Sequence, residues 1–166
     1  VHLAAITDAE GSFDKSEDVN KINLDGTKSV IDACLRNSVR RLIFPSTTSV
    51  YGPISGIALE DSHRSDLQPQ SPYAVSKLAA ENEILMASQQ SDIDGIVLRL
   101  GTIFGPSRGM RFHTAVNKFC WQAVMGQPIS VWETAYDQKR LYLDLFDAFR
   151  VICFIIQNDL FDGRIY

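Results

Sequence analysis

The sequence predicts an α/β protein in which a parallel sheet is flanked by helices. Short apolar runs, VHLAA (1–5), RRLIFPS (40–46) and GIVLRL (95–100), read as buried strands. Between them lie helical stretches, long enough for the crossovers that parallel strands require. Local punctuation marks where those stretches start and stop.

VHLAA is the first strand, followed by the polar loop TDAEGSFDKSED. From Val19 to Asn37, apolar or small residues recur at Val19, Ile22, Gly26, Val30, Ala33 and Cys34, which is helical spacing. RRLIFPS is the next strand, with Pro45 marking its end. TTSVYGPISG and EDSHRSDLQPQ make a long loop rich in turn residues, a kind that often carries function. Ser71-Pro72 starts a helix, with Ser as N-cap and Pro in the first turn. That helix runs to about Ser88, and Val75, Leu78, Ala79, Asn82, Leu85 and Met86 mark one face. GIVLRL is the third strand. A stripe from Phe112 to Val124 predicts a helix that stops at Gly126. ISVW (129–132) and RLYL (140–143) are short strand candidates. Asp144 caps a last helix to about Asn158, apolar nearly all round and therefore expected to be buried. RIY (164–166) begins one more strand.

Composition narrows the function classes. Apolar residues are 45% and charged residues 22%, the balance of a globular domain. A net charge of −4 with interspersed signs leaves no basic footprint for nucleic acid and no polybasic membrane patch. Cys34, Cys120 and Cys153 are far apart in apolar runs and read as buried thiols of a reducing, cytoplasmic compartment. His2, His63 and His113 have no ligand spacing, so no metal site is expected.

SPYAVSK (71–77) puts Tyr73 and Lys77 four places apart, on one helix face. Alone, such a pair also fits two ordinary residues of a helix surface. A phenol has a pKa of about 10, and bringing it near 7 takes roughly 4 kcal/mol. One cation at ~4 Å in an effective dielectric of ~20 supplies about that much. A lysine can therefore poise a tyrosine to remove a hydroxyl proton while a hydride leaves the same carbon. The reaction also needs a hydroxyl to hold the reacting oxygen. Ser46, Thr47, Thr48 and Ser49 follow RRLIFP, where ligands of such sheets bind, beyond the strand's carboxyl end.

VHLAA, INLDGT (22–27), RRLIFPSTTSVYG (40–52), SPYAVSKLAAE (71–81), VLRLGTIFGP (97–106) and RLYLDLFDAFRV (140–151) stand in the order found in one family. Through them the chain resembles the extended short-chain dehydrogenase/reductases, specifically the NAD-dependent nucleotide-sugar epimerase/dehydratase family. The resemblance implies a partial Rossmann-like parallel sheet with the start of a small C-terminal substrate lobe. Residues 1–108 would be the C-terminal part of the NAD(P)-binding domain. Residues 109–166 would be a partial substrate-binding lobe interleaved with the last Rossmann elements.

It further implies catalytic roles for Thr47, Tyr73 and Lys77, with Tyr73 as base and Thr47 orienting the oxygen. Ala4, Ala5, Asn23, Ser46, Tyr73, Lys77 and Thr102 would line NAD or NADP, Asn23 by supporting the strand ends. Thr48, Ser49, Arg111 and Arg140 fall on the side of a nucleotide-sugar substrate; either arginine also suits a solvated or interhelical pair. A homodimer packed through the helices holding Asn23 and Tyr73 is implied as well.

Departures sharpen the reading. The family's dehydratases follow their catalytic Thr with an Asp-Glu pair, and its decarboxylases carry a glutamate in this loop. This chain has Thr48 and Ser49, which cannot transfer protons near pH 7 unaided. An epimerase or simple keto-reductase is therefore favoured. Many relatives have Asn where Thr102 stands, so sugar identity does not carry over. No G-x-x-G-x-x-G lies between a first strand and a helix; the family's pyrophosphate loop is expected before Val1 and the tail of its sugar lobe after Tyr166. The chain alone is accordingly expected to bind NAD weakly or not at all. A truncated, catalytically silent module serving partner binding or assembly is the alternative.

Overall fold

The structure is a computed structural model that describes residues 1–53, 56–131, 133, 136 and 139–166. The chain divides into two compact units, residues 1–99 with 155–166, and residues 100–154.

The first unit is built on β1 (Arg41–Thr47) and β2 (Asp94–Leu100), which pair with each other. Residues 164–166 extend the row beyond β2: Ile165 pairs in parallel with Val97, and Tyr166 N donates to Val97 O at 2.8 Å. On the other side, His2 N donates to Ile43 O at 2.9 Å. VHLAA nonetheless forms no regular strand. Only His2 turns inward, while Val1 and Leu3 are 56% and 70% exposed, so the segment lacks both a continued ladder and a packed face.

Pro45 does not end β1, which runs on to Thr47. Arg40 O accepts from Asp94 N on one side, and Ile43 O from His2 N on the other. Pro45, two residues beyond Ile43, therefore faces the sparsely bonded first segment, where its missing N–H costs β2 nothing.

One long helical run connects Ser16 to Arg36: α1 (Ser16–Asn20), a π-helical turn (Lys21–Asp25) and α2 (Gly26–Arg36). Its buried residues are Val19, Asn23, Thr27, Ile31 and Cys34. The sequence stripe at Ile22, Gly26 and Val30 is thus one residue out of phase. Steps of four residues overrun a regular turn by about 40° each, so three steps would drift off the face. One wide π turn absorbs most of that drift and keeps Val19 and Ile31 on the same side.

α3 (Pro72–Gln90) starts where the Ser-Pro signal places it, and Ser71 Oγ accepts from Ala74 N at 3.2 Å. Its buried face is not the apolar stripe read from sequence. Ala74, Ser76, Lys77, Ala80, Glu81 and Ile84 face inward, while Val75 and Met86 are about half exposed. Three of the inward residues are polar, and partners elsewhere in the fold accommodate them. The apolar core joins Ile31 and Cys34 of α2, Leu42 and Phe44 of β1, Ala80 and Ile84 of α3, Ile93, and Val97 of β2. A Cβ on Gly95 would fall 2.6 Å from Ile84 Cγ2, so the glycine lets α3 lie close against β2.

In the second unit, β3 (Thr102–Phe104) pairs in parallel with β4 (Tyr142–Asp144), Thr102 opposite Tyr142. α4 (Ala115–Val124) stops just before Gly126, whose φ is +65°. Residues 129–131 form no strand, and Trp132 of the ISVW candidate lies outside the described residues. α5 (Leu145–Gln157), which runs from residue 145 into the final stretch, is capped as expected: Asp144 Oδ1 accepts from Phe146 N at 2.8 Å. It is not buried all round. Ala148 and Ile155 are covered, but Phe146, Phe149 and Phe154 are 57–62% exposed. An apolar helix is buried only where neighbours meet each face, and here one strip is met. The cysteines differ likewise: Cys34 is buried, Cys153 half-buried and Cys120 exposed. No helix among the described residues is long and apolar enough to cross a membrane.

Candidate active site

The first unit brings the end of β1 against α3. Thr47 is the last residue of β1 and is buried. Its Oγ1 accepts from Ser49 N at 3.1 Å and lies 3.1 Å from Ser49 Oγ, capping the short 3₁₀ turn Thr48–Val50. Tyr73 sits in the first turn of α3, half-buried, where its N–H would otherwise lack a partner. That N–H donates to Ser12 Oγ at 3.3 Å, and Ser12, fully buried, donates its hydroxyl to Ala9 O at 2.6 Å.

Lys77 follows one turn later and is 4% exposed. Its Nζ lies 3.8 Å from the centroid of the Phe44 ring, on β1. Burial pushes the ammonium down to about 8, against the opposing pull of Glu81.

Asn23, in the π turn, is 2% exposed. Its Oδ1 accepts from Ile6 N at 2.8 Å, and its Nδ2 donates to Ile6 O at 2.9 Å and to Ser76 Oγ at 3.0 Å. It therefore clamps the segment carrying Ala4 and Ala5 to α3. Ala4 is exposed and Ala5 half-buried. Ser46 donates its hydroxyl to Glu81 Oε1. Glu81 also takes Arg99 Nη2 on Oε2 at 2.8 Å and Arg99 Nε on both oxygens at 3.2 Å. The Arg99 guanidinium stacks 4.8 Å from the Tyr51 ring. Burial alone would lower its pKa, but the bonds to Glu81 and the pairing with Tyr51 outweigh that and raise it.

Thr48 and Ser49 lie in the 3₁₀ turn beside Thr47. Thr102 in β3, and Arg111 and Arg140, both exposed, are carried by the second unit. Glu81, Ser12 and Ser76 are the residues sequence reasoning missed. Only Glu81 left a signal: it stands four places after Lys77, in helical register.

The parallel strands flanked by helices define a Rossmann-type α/β protein. The chain belongs to the NAD dependent epimerase/dehydratase family, which it matches over residues 1–166. A trifunctional UDP-glucose 4,6-dehydratase/UDP-4-keto-6-deoxy-D-glucose 3,5-epimerase/UDP-4-keto-L-rhamnose-reductase of Arabidopsis thaliana is 31% identical over 157 residues, 92% of this chain and 23% of that protein. An uncharacterized UDP-glucose epimerase of Bacillus subtilis is 32% identical over 124 residues, 73% of this chain and 38% of that protein. Among solved structures, UDP-glucuronic acid 4-epimerase from Bacillus cereus, in complex with UDP-glucuronic acid and NAD, aligns with a TM-score of 0.86 at 26% identity. It covers 99% of this chain and 51% of its own. MoeE5 in complex with UDP-glucose and NAD aligns at 0.81 with 28% identity, over 92% of this chain and 50% of that one. The chain thus spans about half the length of these solved relatives and less of the curated ones.

Proposed function

We propose that the protein is an NAD-dependent epimerase, or a related keto-reductase, acting on a nucleotide sugar through a keto intermediate. The observation that carries the reading is Lys77: a buried ammonium with its pKa lowered to about 8, one turn after Tyr73 on the helix packed against β1. A charged group at that depth is costly unless it serves something.

Lys77 fits the ribose of a dinucleotide, because an ammonium offers three donors and its described contact is a ring face. The backbone of Ala4 and Ala5, held by Asn23 through Ile6, fits the edge of the same group. Asn23 and Ser46 act here by positioning, since their polar atoms already serve Ile6, Ser76 and Glu81. When bound, NAD supplies the two-electron acceptor and donor that the sugar carbon requires.

The chain's own residues manage the proton. In this reading Tyr73 takes the proton of the sugar hydroxyl, and the Lys77 cation one turn away on the same helix favours the phenolate form that does so. Thr47, freed from Ser49 by a rotation of its hydroxyl, orients that oxygen. Thr48 and Ser49 offer no carboxylate for eliminating water, which favours epimerase over dehydratase although relatives of both kinds exist. Arg111 and Arg140 are assigned to the substrate's phosphates. The reading also carries a homodimer in the cytoplasm, built through the helices that hold Asn23 and Tyr73.

The test is Tyr73→Phe in the intact protein, assayed on UDP- and dTDP-sugars. Turnover should fall by about 10²–10⁴ with the melting temperature unchanged; undiminished turnover overturns the assignment.

A further inference from the structure

We propose that Glu81 is a positioning residue: a buried carboxylate, filled by Ser46 and Arg99, that keeps the Lys77 ammonium charged without capturing it. The inference rests on reading Lys77 as the cation beside the Tyr73 base.

Glu81 lies one turn after Lys77 on the same inward face of α3, and its side chain is 1% exposed. A carboxylate at that depth stays ionised only if hydrogen-bonded and balanced by charge. Arg99 and Ser46 supply both. A carboxylate has about four acceptor sites. Here Oε1 takes Ser46 Oγ and Arg99 Nε, while Oε2 takes Arg99 Nε and Nη2. Three donor hydrogens, the Arg99 Nε–H shared between both oxygens, thus crowd the carboxylate, and Lys77 is not among the donors. Accordingly no ion pair within 4.0 Å joins Lys77 to a carboxylate among the described residues. Nζ rests on the Phe44 ring instead.

The carboxylate acts on Lys77 through its field alone. That opposes the loss of the proton that burial favours, and it leaves the N–H donors open to a bound ribose and to Tyr73. A lysine locked in a contact ion pair would have the charge but not the donors. The other groups facing Lys77 do not substitute. His2, from the first segment, is pushed down by burial and then by Lys77 itself, so it adds no charge near pH 7. Tyr73 lies on the same helix, and β1 presents Phe44. Arg99, on β2, faces Glu81 and the Tyr51 ring.

The experiment uses the intact protein with Glu81→Gln. The companion variant is Glu81→Gln/Arg99→Met, because the single change leaves a buried guanidinium with a weaker partner. Lys77 is titrated by the pH dependence of its ¹³Cε resonance, and kcat/KM is profiled against pH. In the variants Lys77 should titrate about one pH unit lower, and the alkaline limb of the profile should move down with it. An unmoved Lys77 titration in whichever variant keeps its near-UV dichroism overturns the proposal. A Lys77 that moves while the alkaline limb stays fixed upholds the role of Glu81 and instead overturns the enzymatic reading of Lys77.

Discussion

Arg99 of β2 and Glu81 of α3 meet inside the protein by three hydrogen bonds of 2.8–3.2 Å, with side chains 3% and 1% exposed. Breaking such a pair strands a charge, whereas replacing both partners removes the need for either. Arg99→Met is expected to cost about 3–5 kcal/mol in urea unfolding. Glu81→Gln/Arg99→Met should recover a large part of that loss. A double variant no more stable than Arg99→Met would show that the charges contribute no coupling.

Lys77 sits in the protein with its pKa lowered to about 8, below the ordinary lysine value. Between about 8 and 10.4 the unfolded chain holds the proton more tightly, so stability should rise with pH in that window. Below it, both states are protonated and the destabilisation is present in full. Lys77→Met should therefore stabilise the protein by up to about 3 kcal/mol at pH 7, while removing the proposed cation. The advantage should shrink towards pH 10. A difference independent of pH would show that the lysine is not desolvated in solution.

Asn23 holds the backbone of Ile6 by both its N–H and its carbonyl, and Ser76 by its hydroxyl. Asn23→Ala should cost about 2 kcal/mol. It should also speed amide exchange at Ile6 more than at the core strands. Uniform acceleration would mean that the clamp is not local.

Gly52 has φ +68°, and a Cβ there would fall 1.9 Å from Gln68 O. Gln68 N also donates to Tyr51 O at 3.3 Å, so the two ends of the long loop meet at this glycine. Gly52→Ala should lower stability by about 2 kcal/mol or more. Limited proteolysis should then cut between residues 56 and 67 faster than in the parent. Equal cutting rates would mean that the closure is not held at Gly52.

The parts of the fold legible in the sequence were those set by neighbours along the chain. Ser71 caps α3 and Asp144 caps α5 through bonds spanning two or three residues, and β1 and β2 are apolar runs between polar ones. The buried polar set was not legible as buried. Asn23 reaches Ser76 across 53 positions and Ser46 reaches Glu81 across 35, so each looks like a surface residue until its partner is placed. The apolar stripe on α3 misled for the same reason: its inward face is held by Ser76, Lys77 and Glu81. Tyr73 and Lys77 stood out because chemistry, rather than burial, singled them out.

The π turn at Lys21–Asp25 gives the helical run from Ser16 to Arg36 one residue more than ordinary winding would need. Deleting a single amino acid there would restore ordinary winding and leave Val19 and Ile31 within about 20° of the same side. Inserting one would instead swing everything upstream by about 100°, carrying Val19 from its seat and Ser12 from its place under Tyr73, although neither had been altered.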